Sequence, residues 1–281
     1  MTSAETVGAA LAACRGRIDR VDARILMAEA IGRPASYLVS HPEAELTPAQ
    51  QARFADWVSR RVAGEPVAYL IGTREFYGRP FKVTPAVLIP RPETEGIIDI
   101  AREAFPAAPA RVLDLGTGSG ALAITLALLW PEAEVVAVDR SAAALAVAAA
   151  NALQLGARVE FVESDWFSSL PAVQRFDLIL SNPPYVADGD PHLGEGDVRF
   201  EPPGALASGP DGLDDIRRIA AQGVPRLVPG GCLMVEHGYD QGASVRQLLA
   251  QRGLARVHSW TDLAGIERIT GGWLDAAVDE A

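Results

Sequence analysis

The sequence predicts an α/β chain: a parallel sheet with helices on both faces, preceded by a small helical domain and a β-hairpin connector. Three observations carry this. From residue 96 onward, short apolar runs alternate with helical runs, the pattern of strand–helix–strand repetition. Residues 1–63 keep helical spacing instead. Between them, Pro66, Pro80, Pro85, Pro90 and Pro92 break the pattern. The boundaries read from these changes are a helical domain over 1–72, a hairpin connector over 73–95 and a larger domain over 96–281.

In "RVDARILMAEAIG" (20–32), Val21, Ile25, Leu26 and Ala28 recur near one face of a helix that Gly32 closes. Thr47 reads as the N-cap of a second helix, with Pro48 at its first position and Gln50 completing a capping box. Phe54, Trp57, Val58, Arg61 and Val62 carry that helix to Gly64. Prolines and glycines over 64–95 break any helix. There "REFYGRPFKV" predicts a β-hairpin with Gly78-Arg79 near its turn, and "VLIPRPETE" is held extended by its X-Pro steps. The stretch is too apolar for a flexible linker and is expected to pack on one of the domains. Strands are predicted at 110–116, 134–139, 158–163, 176–181, 231–237 and 255–260. Helices are predicted at 119–129, 141–154, 213–227 and 240–251. The final "IERITGGWLDAAV" reads as a closing strand. Residues 186–212 form a long polar loop rich in Pro and Gly, and such loops in compact domains are functional or disordered.

Composition removes several classes. No apolar run approaches the ~20 residues that cross a bilayer. Glu5 stands where a secretory leader would be basic, so no signal peptide is expected. Cys14 and Cys232 sit in no metal or redox spacing and read as reduced thiols of a cytoplasmic protein, with no metal site. The net charge of −11 argues against general affinity for nucleic acid and suits a protein partner with a basic face.

The first chemical constellation is "VLDLGTGSGALAITLA" (112–127). A strand delivers Asp114, and Gly116, Gly118 and Gly120 turn tightly into a helix whose N-terminus offers N–H donors to a carboxylate or phosphate. The same loop satisfies the dinucleotide pattern G-x-G-x-x-A. Asp139 ends the second strand, where an acid accepts from ribose hydroxyls of NAD or of S-adenosylmethionine alike; it can also cap the next helix, a role Ser141 already offers. Two features favour S-adenosylmethionine. Asp114 precedes the first glycine by two residues, where Rossmann-like methyltransferases keep an acid near the methionine ammonium. The third strand leads into "ESDWF", in which Asp165 can accept from an adenine amino group and Trp166 can flank the purine, although core packing is a common fate for tryptophan.

The second constellation is Asn182-Pro183-Pro184-Tyr185, directly after the strand "FDLILS". It emerges at the carboxyl edge of the sheet, as the glycine loop does, and ligands of doubly wound sheets bind there. An amide or aromatic amine nitrogen is a poor nucleophile because its lone pair is delocalised, so it needs positioning. The Asn182 oxygen and the Pro183 carbonyl can each accept one N–H of such a group, on a turn stiffened by prolines. Tyr185 can stack on the flat acceptor. His237 can line the site or be structural. Arg91 and Glu93 reach it only if the connector folds over.

With both constellations in hand, the chain resembles the bacterial protein-(glutamine-N5) methyltransferases that act on class I peptide chain release factors, the PrmC/HemK family. The resemblance rests on "REFYGRPFKVTPAVLIPRPETE", "DLGTGSG", "AVDRS", "SDWF", "SNPPY", "DVRFEP" and "EHG". The NPPY tetrapeptide alone also occurs in adenine-N6 methyltransferases of DNA, so a DNA or RNA adenine enzyme is the alternative. The resemblance implies a Rossmann-like class I methyltransferase sheet. It implies S-adenosylmethionine as cofactor, contacted by Gly116, Thr117, Gly118, Ser119, Gly120, Asp139, Trp166 and Asn182. It implies the glutamine of a Gly-Gly-Gln motif as acceptor, held by Asn182, Pro183, Pro184 and Tyr185. The partner is then a release factor gripped by the N-terminal helices, with no direct nucleic-acid or membrane contact, and the enzyme is expected to be a monomer.

Overall fold

The structure is a computed structural model and describes residues 5–275. The chain divides into two units: residues through Thr73 together with Gly196–Phe200, and Arg74–Glu195 together with the chain from Glu201 onward.

The first unit holds α1 (Val7–Ala13), α2 (Arg20–Ile31), α3 (Ala35–Ser40), α4 (Pro48–Val62) and α5 (Val67–Ile71). The capping box at α4 forms as its residues require: Thr47 Oγ1 accepts from Gln50 N at 3.3 Å, and Gln50 Oε1 accepts from Thr47 N at 2.9 Å. Helix α2 corrects the expected face. Ala23, Leu26, Met27 and Ala30 are buried, whereas Val21 is 63% and Ile25 40% exposed. Positions 21, 25 and 28 share helical spacing just as 23, 26, 27 and 30 do. Small alanines mark the stripe that meets Phe54, Val58 and Leu70, and spacing alone cannot choose between two such stripes. Helix α5 corrects the expectation that 64–95 breaks any helix. Pro66 stands at its N-cap and Gly72, with φ 77°, closes it, so the breakers bound one helical turn and a half rather than prevent it.

The second unit opens with β1 (Thr73–Phe76) and β2 (Arg79–Lys82). The turn lies at Tyr77-Gly78, one residue earlier than expected, with φ of 51° and 72°. Two left-handed residues match the twist of a two-residue hairpin. Phe76 and Phe81 are fully buried, edge to face at 6.0 Å. The backbone of Lys82 exchanges two hydrogen bonds with the amide of Asn151, at 2.7 and 3.0 Å. The hairpin therefore packs on this unit. Helix α6 (Glu95–Ala104) follows, an element the sequence reading did not name; it buries Ile97, Ile98, Ile100 and Ala101.

The sheet contains β3 (Arg111–Leu115), β4 (Glu134–Asp139), β5 (Glu160–Glu163), β6 (Phe176–Ser181), β7 (Leu227–Glu236), β8 (Ala255–Thr261) and β9 (Glu267–Trp273) in the order β5-β4-β3-β6-β7-β9-β8. It is covered by α7 (Ala121–Leu129), α8 (Ala142–Leu155), α9 (Asp214–Gly223) and α10 (Gly242–Gln251). Residues alternate strictly between two cores. Val112, Leu178, Leu180 and Met234 face one side with α6 and α7; Leu113, Leu115, Ile179 and Val235 face the other with α9 and α10. Strands buried on both faces read as continuous apolar runs for this reason. The chain order reverses between β3 and β6, which pair in parallel with Leu115 opposite Ser181. The ends of both strands open on the crevice where doubly wound sheets hold ligands.

The sheet is mixed. Strand β9 runs antiparallel between β7 and β8 rather than closing an edge; the last three residues of the predicted strand, 276–278, lie outside the described residues. Strand β7 starts at Leu227, so the helix predicted to that position ends at Gly223 and gives way to a 3-10 turn over Val224–Arg226. Pro229-Gly230-Gly231 reads as a breaker, yet it lies where the β6–β7 register shifts and few ladder bonds are needed.

Candidate active site

A cavity of about 290 Å³ opens at the carboxyl ends of β3, β4 and β6. Its floor is the loop between β3 and α7. Gly116, Gly118 and Gly120 take φ of 72°, 54° and 82°, a left-handed run that side chains resist. At Gly118 a Cβ would meet nothing within 4 Å, whereas at Gly120 it would lie 2.6 Å from Ile124 Cδ1. The first glycine keeps the floor open; the second lets helix α7 close against its neighbours. Asn151, fully buried on α8, holds the loop by donating from Nδ2 to the Ser119 carbonyl at 2.9 Å.

Asp114 projects from β3 into this floor and is 1% exposed. Its Oδ2 accepts from Thr117 Oγ1 at 2.7 Å and from Ala123 N at 3.2 Å. Its Oδ1 is buried without a partner. Burial pushes the carboxyl up to about 7, against the pull of those two donors and with the help of the Asp139 charge. An unfilled buried carboxylate oxygen on a cavity wall is a site for a cation. Asp139 also lines the cavity, and each oxygen accepts one backbone N–H at 2.9 Å, from Gly118 and from Ser141. Lone pairs remain on both for hydroxyl donors.

The side wall is Ser164-Asp165-Trp166. Trp166 has φ 53°, held by Ser164 Oγ donating to its carbonyl at 2.9 Å and by its own Nε1 donating to Asp215 Oδ1 at 3.1 Å. Its ring edge lies 3.5 Å from where a Gly116 Cβ would sit. Asp165 lines the cavity but pairs with Arg218 at 2.6 Å near solvent. The long loop after β6 supplies a further wall through Pro202, Gly204 and Ala205, with Arg140 donating to the Gly204 carbonyl at 2.8 Å.

The Asn182–Tyr185 segment leaves β6 where Ser181 Oγ donates to the Leu115 carbonyl at 2.7 Å, tying the two strand ends together. Asn182 and Pro184 line the cavity; Pro183 and Tyr185 are not among its lining residues. Asn182 Nδ2 donates to Thr94 Oγ1 at 3.0 Å. Gln241 Nε2 donates to the Tyr185 carbonyl at 3.0 Å, and the Tyr185 hydroxyl donates to Glu236 Oε1 at 3.2 Å. Tyr185 also packs against the core beside α9 and α10. Burial and the Glu236 charge raise its phenol far above the usual value.

Three residues that the sequence reading passed over complete the site. Thr94 stands beside the charged Glu93 in "PRPETE"; it is 5% exposed and lines the cavity. Glu236 stands beside His237 in "EHG" and is 2% exposed. An acid ending an apolar strand at the ligand edge was the available signal. Asp215 lies in the first turn of α9, where an acid is also ordinary capping chemistry. His237 itself is fully buried, with Nδ1 against the Gly238 carbonyl at 2.9 Å and Nε2 against Thr270 Oγ1 at 2.8 Å, so both ring nitrogens are spent on structure. Arg91 pairs with the buried Glu201, and Glu93 is exposed.

Family models match in two places: a PrmC N-terminal domain over residues 6–72 and a methyltransferase small domain over residues 99–195. The release factor glutamine methyltransferase of Bordetella pertussis is 53% identical over 259 residues, covering 92% of this chain and 96% of that one. That of Pseudomonas aeruginosa is 50% identical over 256 residues, covering 90% and 92%. Among solved structures, a methyltransferase from Pyrococcus furiosus superposes with a TM-score of 0.55 at 14% identity, covering 79% of this chain and 99% of that one, which shows the Rossmann-like fold. With half of its residues shared over nearly the whole length, the chain belongs to the release factor glutamine methyltransferase family.

Proposed function

We propose that the protein transfers a methyl group from S-adenosylmethionine to the side-chain amide nitrogen of the glutamine in the Gly-Gly-Gln motif of class I peptide chain release factors. The observation that carries this is the pairing of two unlike polar groups on one cavity. Asp114 offers an unfilled buried carboxylate oxygen, and Asn182 offers an oriented amide.

The cavity fits the cofactor group by group. Asp114 Oδ1 answers an ammonium, Asp139 answers ribose hydroxyls, and the Trp166 ring and Asp165 flank the place for a purine. The open side of Gly118 admits the ligand close to the backbone. Bound there, S-adenosylmethionine supplies a methyl on a sulfonium sulfur, which leaves with the S–C electron pair as a neutral thioether while the acceptor nitrogen gives one proton to water. Asn182 holds the acceptor through Oδ1, since Nδ2 is occupied by Thr94. The Pro183 carbonyl takes the second N–H; among the described residues nothing donates to it. Two acceptors fix the amide plane and commit its lone pair, which is the assistance a delocalised nitrogen needs. Tyr185 borders this place, tethered by its hydroxyl. No side-chain base is required.

The reading extends to the setting. No described helix is long and apolar enough to cross a membrane, and the enzyme acts in the cytoplasm as a monomer. The −11 charge favours a protein acceptor over nucleic acid. Incubation of the purified protein with a release factor and S-adenosylmethionine, followed by peptide mass spectrometry, is expected to find one added methyl on the Gly-Gly-Gln peptide. An unmodified peptide, or methyl transfer to an oligonucleotide instead, overturns the reading.

A further inference from the structure

The indole of Trp166 is held at the cavity wall against its backbone preference. A bulky residue resists positive φ, yet Trp166 has φ 53°. An indole carries one polar group, the Nε1–H donor. Here that donor goes to Asp215 Oδ1 at 3.1 Å, from a residue 49 positions away. With the backbone set, two side-chain torsions remain, and a directional bond at the edge of the ring restrains both.

Asp215 is itself braced. Its backbone N–H donates to Ser208 Oγ at 2.7 Å, and Ser208 Oγ donates to Asp215 Oδ2 at 2.9 Å. The hydroxyl thus accepts at the backbone and spends its single proton on Oδ2, which leaves Oδ1 turned to the indole. Ser208 is 4% exposed, and its N–H donates to the Val186 carbonyl at 2.9 Å, directly after Tyr185. Asp165, the neighbour of Trp166 in sequence, is engaged by Arg218 at 2.6 Å, and the same guanidinium lies 3.6 Å from Asp215 Oδ1. Trp166 and Asp215 both line the cavity. An acid in the first turn of α9 also complements the helix end, but that role needs no indole.

We propose that Asp215 is a positioning residue for the cofactor: its Oδ1 fixes the Trp166 ring at the wall where the purine sits, and its Oδ2 ties that ring, through Ser208, to the loop that leaves the Asn-Pro-Pro-Tyr segment. Without the carboxylate the indole keeps its area and loses its set. The proposal rests on the reading of Trp166 as the flank of the purine.

The test measures S-adenosylmethionine binding to the full chain by calorimetry. Asp215→Ala is expected to weaken binding by about 10-fold, the scale of a hydrogen bond to a charged group. Asp215→Asn keeps an oxygen for the indole and is expected to stay within about 3-fold of wild type. Trp166→Phe keeps a ring without the donor and should also weaken binding; adding Asp215→Ala to it should cost nothing further. In the NMR spectrum of the isotope-labelled, ligand-free protein, the indole N–H signal lost in Trp166→Phe should move in Asp215→Ala and move less in Asp215→Asn. Wild-type affinity in Asp215→Ala, an asparagine defect as deep as that of alanine, additive losses in the double variant or an unmoved indole signal each overturn the positioning role and leave Asp215 a helix-end acid. Should Asp215→Ala fail to fold, wild-type affinity in Trp166→Phe overturns it instead. Wild-type affinity in Trp166→Ala overturns the purine-wall reading, and the proposal falls with it. A loss in Trp166→Ala with none in Asp215→Ala overturns the proposal alone.

Discussion

Asp114 and Glu236 are two versions of one device. Each is a carboxyl at the ligand edge of the sheet, at most 2% exposed, raised to about 7 by burial, with one oxygen partnered and the other unfilled. They differ in where their partners come from. Asp114 is held by Thr117 and Ala123, three and nine residues away. Glu236 accepts from Tyr185 at the end of β6, 51 residues away, and Asn182 of the same segment donates to Thr94 in the turn before α6, 88 residues away. The Asp114 end of the cavity is thus held within one continuous strand–turn–helix segment. The acceptor side is assembled by packing distant parts of the chain.

The comparison yields its largest expected effect in the pH dependence of stability. Both carboxyls have folded values above their unfolded values of 3.8 and 4.5. The folded state therefore binds more protons than the unfolded one through this window. Their contribution is intact below about pH 4 and is lost as pH rises through about 7, by up to on the order of 3–4 kcal/mol for each. Denaturant melts of the ligand-free protein at pH 5.5 and 8 should show this loss, and Asp114→Asn or Glu236→Gln should each flatten it. A slope unchanged in both variants means that neither carboxyl carries a penalty.

Cofactor affinity separates the two next. Asp114→Asn removes the charge that answers an ammonium and should weaken S-adenosylmethionine binding by about 10- to 100-fold, the worth of a hydrogen bond to a charged group. Glu236→Gln should leave that affinity nearly unchanged. Equal losses measured by calorimetry would merge the two sides of the site into one.

The smallest effect tests the local side alone. Gly118→Ala has open space and only its φ of 54° against it, so about 1 kcal/mol of stability should be lost. Gly120→Ala adds a clash with Ile124 and Ala148 to its φ of 82° and should cost more. Equal thermal shifts would show that the clash relaxes freely.

These differences explain what was legible in the linear chain. The glycine turn, the capping box at Thr47 and the apolar runs of β3 and β6 arise from neighbours within a few residues, and each was readable. The face of α2 was not, because Val21 and Ile25 obey helical spacing as well as Leu26 and Met27 do, and only the packed partners select. Likewise "PRPETE" advertised its charges, while the uncharged Thr94 reaches Asn182.

Backbone geometry and local donors were enough for the amino-acid order to specify the fold class, the cofactor floor and the stiff Asn-Pro-Pro-Tyr turn. Sheet order placed β6 beside β3 and β7 and threaded β9 between β7 and β8, and packing of the turn before α6 brought Thr94 to Asn182. The contact between Thr94 and Asn182, 88 positions apart, has no signature in the sequence neighbourhood of either residue. It depends on which groups are packed together, and packing is a property of the assembled chain.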